Sequence, residues 1–351
     1  MLRALLVGVA VFAGLITGRG AWAGLQEAQV SVLTYHDLHG WAEDDHGEAL
    51  GVFLNTCAAL DDPEWRPICK LAARQEPGRE NARTFFELFF TPVLIEDGKE
   101  PLFTAYFEPI LDGSRHQEGK FQYPVYSLPP GLRQGQAWLT RREILEEGAL
   151  TGRGLEIAWV DDPVALQFMQ IQGSGRIRLR DGSEIRLGYA GSNGHRFRSL
   201  GDALVRRGIY NRHQVSAAVI SNWVKRNPVD GAELLKDNPN YVFFRVLERV
   251  PAGTGPVGAM NRPITTLRSL AVDPAFVPLG APVWLEKAGG KPFNRLMVAQ
   301  DTGSRIKGAQ RADIFMGTGD EAGRRAAQIS DPGRMVVLLP IQHAYALAPE
   351  G

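Results

Sequence analysis

"RLMVAQDTGSRIKGAQRADIFMG", residues 295–317, is the stretch on which the reading of this chain turns. Two short apolar runs, Leu296–Ala299 and Ile314–Met316, are of strand length, and the residues between them include the turn formers Gly303, Ser304 and Gly308. Asp301 closes the first run and Asp313 opens the second. A carboxylate among apolar neighbours loses water, which raises its pKa. If the two strands pair or cross, both carboxylates face one groove, and two such groups do not ionise easily together. One then stays protonated, the form that can protonate the leaving oxygen of a glycosidic bond. Two salt-bridged surface acids are the alternative, and this stretch alone leaves both readings open.

The surrounding hundred residues are mostly β. "APVWLEK", "RLMVAQD", "ADIFMG" and "RMVVLLP" read as short strands, interrupted by one helix from "GDEAGRRAAQ", which Asp320 is expected to cap. Strands and helices do not alternate, which argues against a doubly wound parallel sheet and for a small closed β-barrel. The Gly/Pro-rich residues 253–263, "GTGPVGAMNRP", read as a domain boundary. Before them, "RIRLRDGSEIRLGY" alternates apolar and charged residues about Asp181-Gly182, a hairpin signal. Three helices follow: "SLGDALVRRG" with Ser199 as cap, "HQVSAAVISNWVKRN" and "DGAELLKDN". "NYVFFRVLERV" then reads as a strand.

Residues 25–95 are helix-rich. "ENARTFFELFFTP" reads as a helix stopped by Pro92. Cys57 and Cys69 lie in two helical segments separated by Asp61, Asp62 and Pro63, which suggests a helical hairpin. In an oxidising compartment the pair can form a disulfide; two buried thiols are the alternative. The first 23 residues carry Arg3, an apolar run from Ala4 to Ile16 and the small-residue frame Ala21-Trp22-Ala23. That is the layout of a signal peptide cleaved after Ala23. No cysteine follows the run as a lipid anchor would need, so an exported, soluble protein without a stable membrane anchor is expected.

Charge and motifs exclude other classes. The chain has 39 basic and 39 acidic residues, so it carries no electrostatic footprint for nucleic acid. A neutral polymer or a small molecule is the better-matched partner. "GSGRIR" and "GTGDEAG" lack the spacing and context of a nucleotide-binding loop. There is no G-x-S-x-G nucleophile elbow, and the seven histidines show no metal-binding spacing, so no metal is expected. His195, in "YAGSNGHRF", reads as a satisfied loop histidine rather than a catalytic one. Asp273-Pro274 reads as the opening of a turn.

Taken in order, "FTAYFEPIL", "EGKFQYPVYSLP", "IQGSGRI", "YAGSNGHRFRSLG", "NPNYVFFR", "QDTG", "ADIF" and "GDEAGRRAA" resemble the membrane-bound lytic murein transglycosylase A family over about residues 100–340. The family's terminal "3D" domain is named for three aspartates, which here are Asp273, Asp301 and Asp313. The resemblance implies a mainly β fold with helices. A double-psi β-barrel, residues 24–112 and 253–351, would include the N-terminal helical region. A second, largely β, glycan-binding domain would be inserted at 113–252. It makes Asp313 the catalytic acid/base, Asp301 its partner and Asp273 a supporting residue. It also places Thr104, Tyr106, Gln172 and Ser174 along the substrate groove.

The implied activity is cleavage of the β-1,4 bond between N-acetylmuramic acid and N-acetylglucosamine in periplasmic peptidoglycan, leaving 1,6-anhydro ends and needing no cofactor. Two rivals use the same frame. An inverting hydrolase would use Asp301 as the base on a water, and an expansin-like protein would bind glycan without cutting it.

Overall fold

A computed structural model describes residues 23–133, 135–251 and 253–347. The leader read over residues 1–23 lies outside these, apart from Ala23. After strand β1 (Gln29–Val32), three helices follow: α1 (His46–Cys57), α2 (Trp65–Ala72) and α3 (Arg79–Phe89). Asp45 caps α1, its Oδ1 accepting from the N–H groups of Gly47 and Glu48. Phe53 of α1 packs edge-on or tilted against Trp65, Phe85, Phe86 and Phe90, and all five rings are buried. Cys57 and Cys69 are joined in a disulfide that ties the end of α1 to α2.

Strand β2 (Phe90–Glu96) begins directly at the end of α3, so Pro92 lies inside a strand and does not itself stop the helix. Proline supplies no N–H to a sheet, but the Pro92 carbonyl still accepts from Leu33 N at 2.9 Å. The β-favouring residues around it pair with the chain's last strand, so tertiary pairing outweighs the local stop signal.

The remaining strands are β3 (Leu102–Glu108), β4 (Ile110–Ser114), β5 (Tyr123–Tyr126), β6 (Glu156–Val160), β7 (Gly175–Arg178), β8 (Glu184–Ser192) and β9 (Val242–Val246). They continue with β10 (Ser269–Val272), β11 (Pro282–Lys287), β12 (Phe293–Thr302), β13 (Arg311–Thr318), β14 (Ser330–Asp331) and β15 (Gly333–Pro340). A nine-stranded mixed sheet has the order β14-β3-β13-β10-β12-β11-β15-β2-β1. A six-stranded sheet has the order β9-β8-β7-β4-β6-β5. The hydrogen-bonded order of the larger sheet is open, with β14 and β1 at its edges, where the sequence suggested closure. It nevertheless curls. Gln310, just before β13, donates through Nε2 to Ile95 O of β2 and Met335 O of β15, strands four or five places away in the sheet.

The larger sheet and α1–α3 share one apolar core containing Trp284, Val298, Ile314 and Leu338. The smaller sheet has its own core around Val160, Met169, Ile177 and Leu187. Against it lies α5 (Pro163–Gln172), preceded by α4 (Arg141–Glu146), and α6 (Leu200–Arg206), α7 (Ala217–Arg226) and α8 (Pro228–Lys236) form a separate apolar cluster with Val164 of α5. The expected hairpin is β7–β8, with Gly182 at φ 82° in the turn, and Ser199 caps α6. The sequence reading passed over α4, α5 and the terminal α10 (Ile341–Leu347). In α9 (Asp320–Ala326), Gly319 is the cap position and Asp320 is the first helical residue, so the expected Asp320 cap is absent. Glycine fits there because the backbone is at φ 86°, while Asp320 and Glu321 favour the helix start through the dipole. Among the described residues, no helix is long and apolar enough to cross a membrane.

The two sheets meet at a buried cluster. Glu108, at the end of β3, pairs with Arg176 at 2.8 Å and Arg186 at 3.8 Å, and accepts from Thr318 Oγ1 at 2.7 Å. Both arginines also donate to Thr254 O, so the two chain crossings between the sheets are fixed together.

Candidate active site

Strand register assembles the site. Ala271 on β10 pairs with Asp301 of β12 on one side and Asp313 of β13 on the other; Asp313 in turn pairs with Thr104 of β3. The four residues therefore form one row across the sheet, and their side chains share a face. The aspartate Cα atoms are two strand spacings apart, about 10 Å. Only the methyl of Ala271 stands between them, which leaves room for the carboxylates.

Asp313 is half-buried. Its Oδ1 accepts from Thr104 Oγ1 at 2.6 Å, and Thr104 Oγ1 accepts from an Arg311 guanidinium N–H at 2.8 Å. Burial pushes the Asp313 pKa above the usual carboxylate value, against the opposing pull of the Thr104 bond and the Arg311 charge. Its second oxygen, Oδ2, receives no donor among the described residues. Burial likewise lowers the pKa of Arg311, partly offset by Asp313.

Asp301 has a fuller hydrogen-bond shell. Oδ2 accepts from Tyr106 OH at 2.9 Å, and Oδ1 accepts from Ala259 N at 3.0 Å and Thr302 N at 2.9 Å. Burial raises its pKa, those three bonds oppose the rise, and the Asp313 charge adds to it. Burial and the charges of both aspartates hold the Tyr106 phenol well above its ordinary pKa, so it stays a neutral donor. Tyr106 packs on Phe315, with ring centroids 5.4 Å apart. Its hydroxyl reaches a strand three places away in the sheet, a further mark of the curl.

The other expected residues divide. Asp273 lies just beyond β10 and pins the loop between the two aspartates. Its Oδ2 accepts from Gly308 N at 3.0 Å, and its Oδ1 meets Lys307 Nζ and Ala275 N, each at 3.3 Å. It thus opens a turn, its carbonyl accepting from Phe276 N and Val277 N as its Asp-Pro context suggested, and also braces a loop. Gln172, at the end of α5, accepts from Phe107 N at 3.1 Å and so touches β3 beside Tyr106. Ser174 is buried where α5 gives way to β7. His195 lies in the other sheet's loops, its Nε2 2.6 Å from Trp138 O, in a structural contact.

Two features escaped the sequence reading. The stretch taken as a boundary lies against Asp301. A Cβ on Gly258 would stand 2.8 Å from Gln300 O, so only glycine allows Ala259 N to reach the carboxylate. Arg311, two residues before Asp313, also carries the site through Thr104; its even spacing along a strand was the available clue.

Comparison with known proteins adds the following. A family model described as the MltA specific insert domain matches residues 102–245, and one described as the 3D domain matches residues 268–339. Membrane-bound lytic murein transglycosylase A of Escherichia coli K12 is 36% identical over 247 residues, covering 67% of this chain and 65% of that protein. The chain thus spans slightly less than two thirds of that relative. The crystal structure of MltA from Neisseria gonorrhoeae (monoclinic form) superposes with a TM-score of 0.80 at 32% identity, covering 90% of this chain and 93% of that one. That of E. coli MltA with bound chitohexaose superposes with a TM-score of 0.69 at 28% identity, covering 84% and 90%.

Proposed function

The chain belongs to the membrane-bound lytic murein transglycosylase A family, and from that premise we propose that it is a peptidoglycan lytic transglycosylase of the periplasm. Residues 24–112 and 253–351, which hold the larger sheet and its helical preface together with the first residues of β4, are taken as the family's double-psi barrel, and residues 113–252 as the inserted glycan-binding domain. The glycan strand lies between them. The chitohexaose held by the E. coli relative supports a sugar polymer as ligand.

Asp313 is the acid. Protonated, it gives its proton to the bridging oxygen as the muramic acid C1–O bond breaks, releasing the 4-hydroxyl of N-acetylglucosamine. Its carboxylate then takes the proton of the C6 hydroxyl, whose oxygen closes on C1 to give the 1,6-anhydro ring. The attack is intramolecular, so it benefits from proximity and needs no water. Thr104 and Tyr106 line the cleft beside the acid, Gln172 and Ser174 extend it, and Asp273 supports the loop above it.

The observation that carries the assignment is the unequal hydrogen bonding of the two carboxyls. Asp313 keeps one oxygen without a donor among the described residues and has a raised pKa, as a proton donor requires. Both oxygens of Asp301 are engaged by protein donors, which suits a positioning group better than a base that must hold water. The test is product analysis on purified sacculi. Anhydro ends are expected; reducing ends alone would establish the inverting hydrolase, and no products a binding protein.

A further inference from the structure

A cavity of about 410 Å³ opens in the smaller-sheet half of the molecule, away from the aspartate row. Arg142, Arg198, Arg206 and Lys236 line it, with Asp237 as the one acid in the lining. Asp237 is held by Arg207 at 2.7 Å, while Arg142 and Lys236 share Glu146 and Glu233. Arg198 and Arg206 have no acidic partner among the described residues. In a chain of zero net charge, this convergence of cations is a local feature and not a general basicity.

Helix ends explain only half of it. Arg206 and Lys236 close α6 and α8, where the helix dipole favours cations. Arg142 stands in the first turn of α4, and Arg198 directly precedes the cap of α6, positions where the dipole disfavours them. Arg198 is also anchored, its backbone N–H donating to Oδ1 of buried Asn238 at 3.0 Å. Its chain neighbour Phe197 carries the Arg305 guanidinium over its ring at 5.3 Å, and Arg305 lies in the loop between Asp301 and Asp313. Consecutive residues thus touch the catalytic loop and line the cationic cavity.

We propose that this cavity binds the carboxylates of the peptide stem carried by a muramic acid unit of the strand in the groove. The inference rests on the glycan-cleaving reading above. In a stem-bearing unit the lactyl carboxyl is bound in the amide to its stem, so the sugar backbone there is neutral and the stem supplies the anionic groups, and a guanidinium matches a carboxylate in planar, two-pronged geometry.

The test uses the whole protein and the double variant Arg198→Gln/Arg206→Gln, with cleavage measured as anhydro ends. The substrates are glycan strands bearing stems and the same strands stripped by an amidase, with the lactyl carboxylates so exposed capped as methyl amides. The expected result is a KM about tenfold higher for stem-bearing strands, as lost charge-assisted hydrogen bonds predict, with kcat and the stripped strands unaffected. Equal effects on both substrates, or none on either, would overturn the proposal. Calorimetric binding of a soluble disaccharide tetrapeptide, with its carboxylates free or amidated, gives a second readout that needs no turnover. Wild-type protein must prefer the free form and the variant must lose that preference; equal affinities refute the site. Wild-type protein that makes no anhydro ends but retains this preference would refute the proposed activity and uphold the cavity's role.

Discussion

Replacing Asp313 by asparagine separates chemistry from folding in one variant. The amide keeps the size of the side chain and an oxygen to accept from Thr104, whose hydroxyl is 2.6 Å from Oδ1 in the native protein. It cannot supply the proton. General acid catalysis is worth at least about a hundredfold, or roughly 2.7 kcal/mol of barrier, so the rate of anhydro-end formation should fall by at least that factor. Asp301 should not rescue it, because its oxygens already face three donors. Stability should move the other way. Burial raises the folded-state pKa of Asp313, so its contribution is fully present below the unfolded pKa and is lost as pH rises through the folded value. As pH rises through that folded value, the native protein takes on a half-buried charge that the asparagine variant lacks. Its Tm at pH 7 should equal or exceed that of the wild type by up to a few degrees, with the margin shrinking toward pH 4. Sacculus digestion and thermal melts at both pH values measure the two effects. A folded variant that forms anhydro ends at the wild-type rate, or one clearly less stable at pH 7, would refute the reasoning.

Asp301→Asn should cost less, about tenfold in rate, since it alters positioning and not proton supply; a loss equal to that of Asp313→Asn would favour Asp301 as a base. Thr104→Val removes the bond that lowers the Asp313 pKa, so the acid form persists longer and the basic limb of the kcat/KM profile should move to higher pH; an unmoved limb would mean Asp313 is not the titrating acid. Gly258→Ala places a Cβ 2.8 Å from Gln300 O and should destabilise by about 1–3 kcal/mol in denaturant titration while reducing activity. Thiol labelling of unreduced, denatured protein should find neither Cys57 nor Cys69 free, and reduction should lower stability by about 3 kcal/mol or less.

Much of the site was legible because its parts are local. Asp301 and Asp313 sit at strand ends beside apolar runs, and those continuous runs mark the strands. The hairpin at Asp181-Gly182 and the Ser199 cap were likewise written in a few adjacent residues. What failed depended on distant partners. The Pro92 stop signal yields to β15, nearly 250 residues later, and the role of Gly258 depends on a carbonyl it meets only in the folded sheet. Helix α5 is a different case. Asp162 at the cap, Pro163 after it and Gly173 at the end were all present, but a helix packed on a sheet with buried glutamines shows little polar contrast along its length.

The pairing of β3 carries a consequence in time. Thr104 and Asp313 are 209 residues apart in the chain, and Tyr106 and Asp301 are 195 apart. Both sheet neighbours of β3, namely β13 and β14, follow residue 310. A chain that emerges N-terminus first therefore carries β3 with both edges bare, an exposed template for wrong pairing and a slow nonlocal closure. The intervening sheet, with its own core, can form while β3 waits. No fragment that ends before Asp313 holds both aspartates of the row or the whole of β13. The order of the sequence thus withholds the paired aspartates until the final strands are delivered.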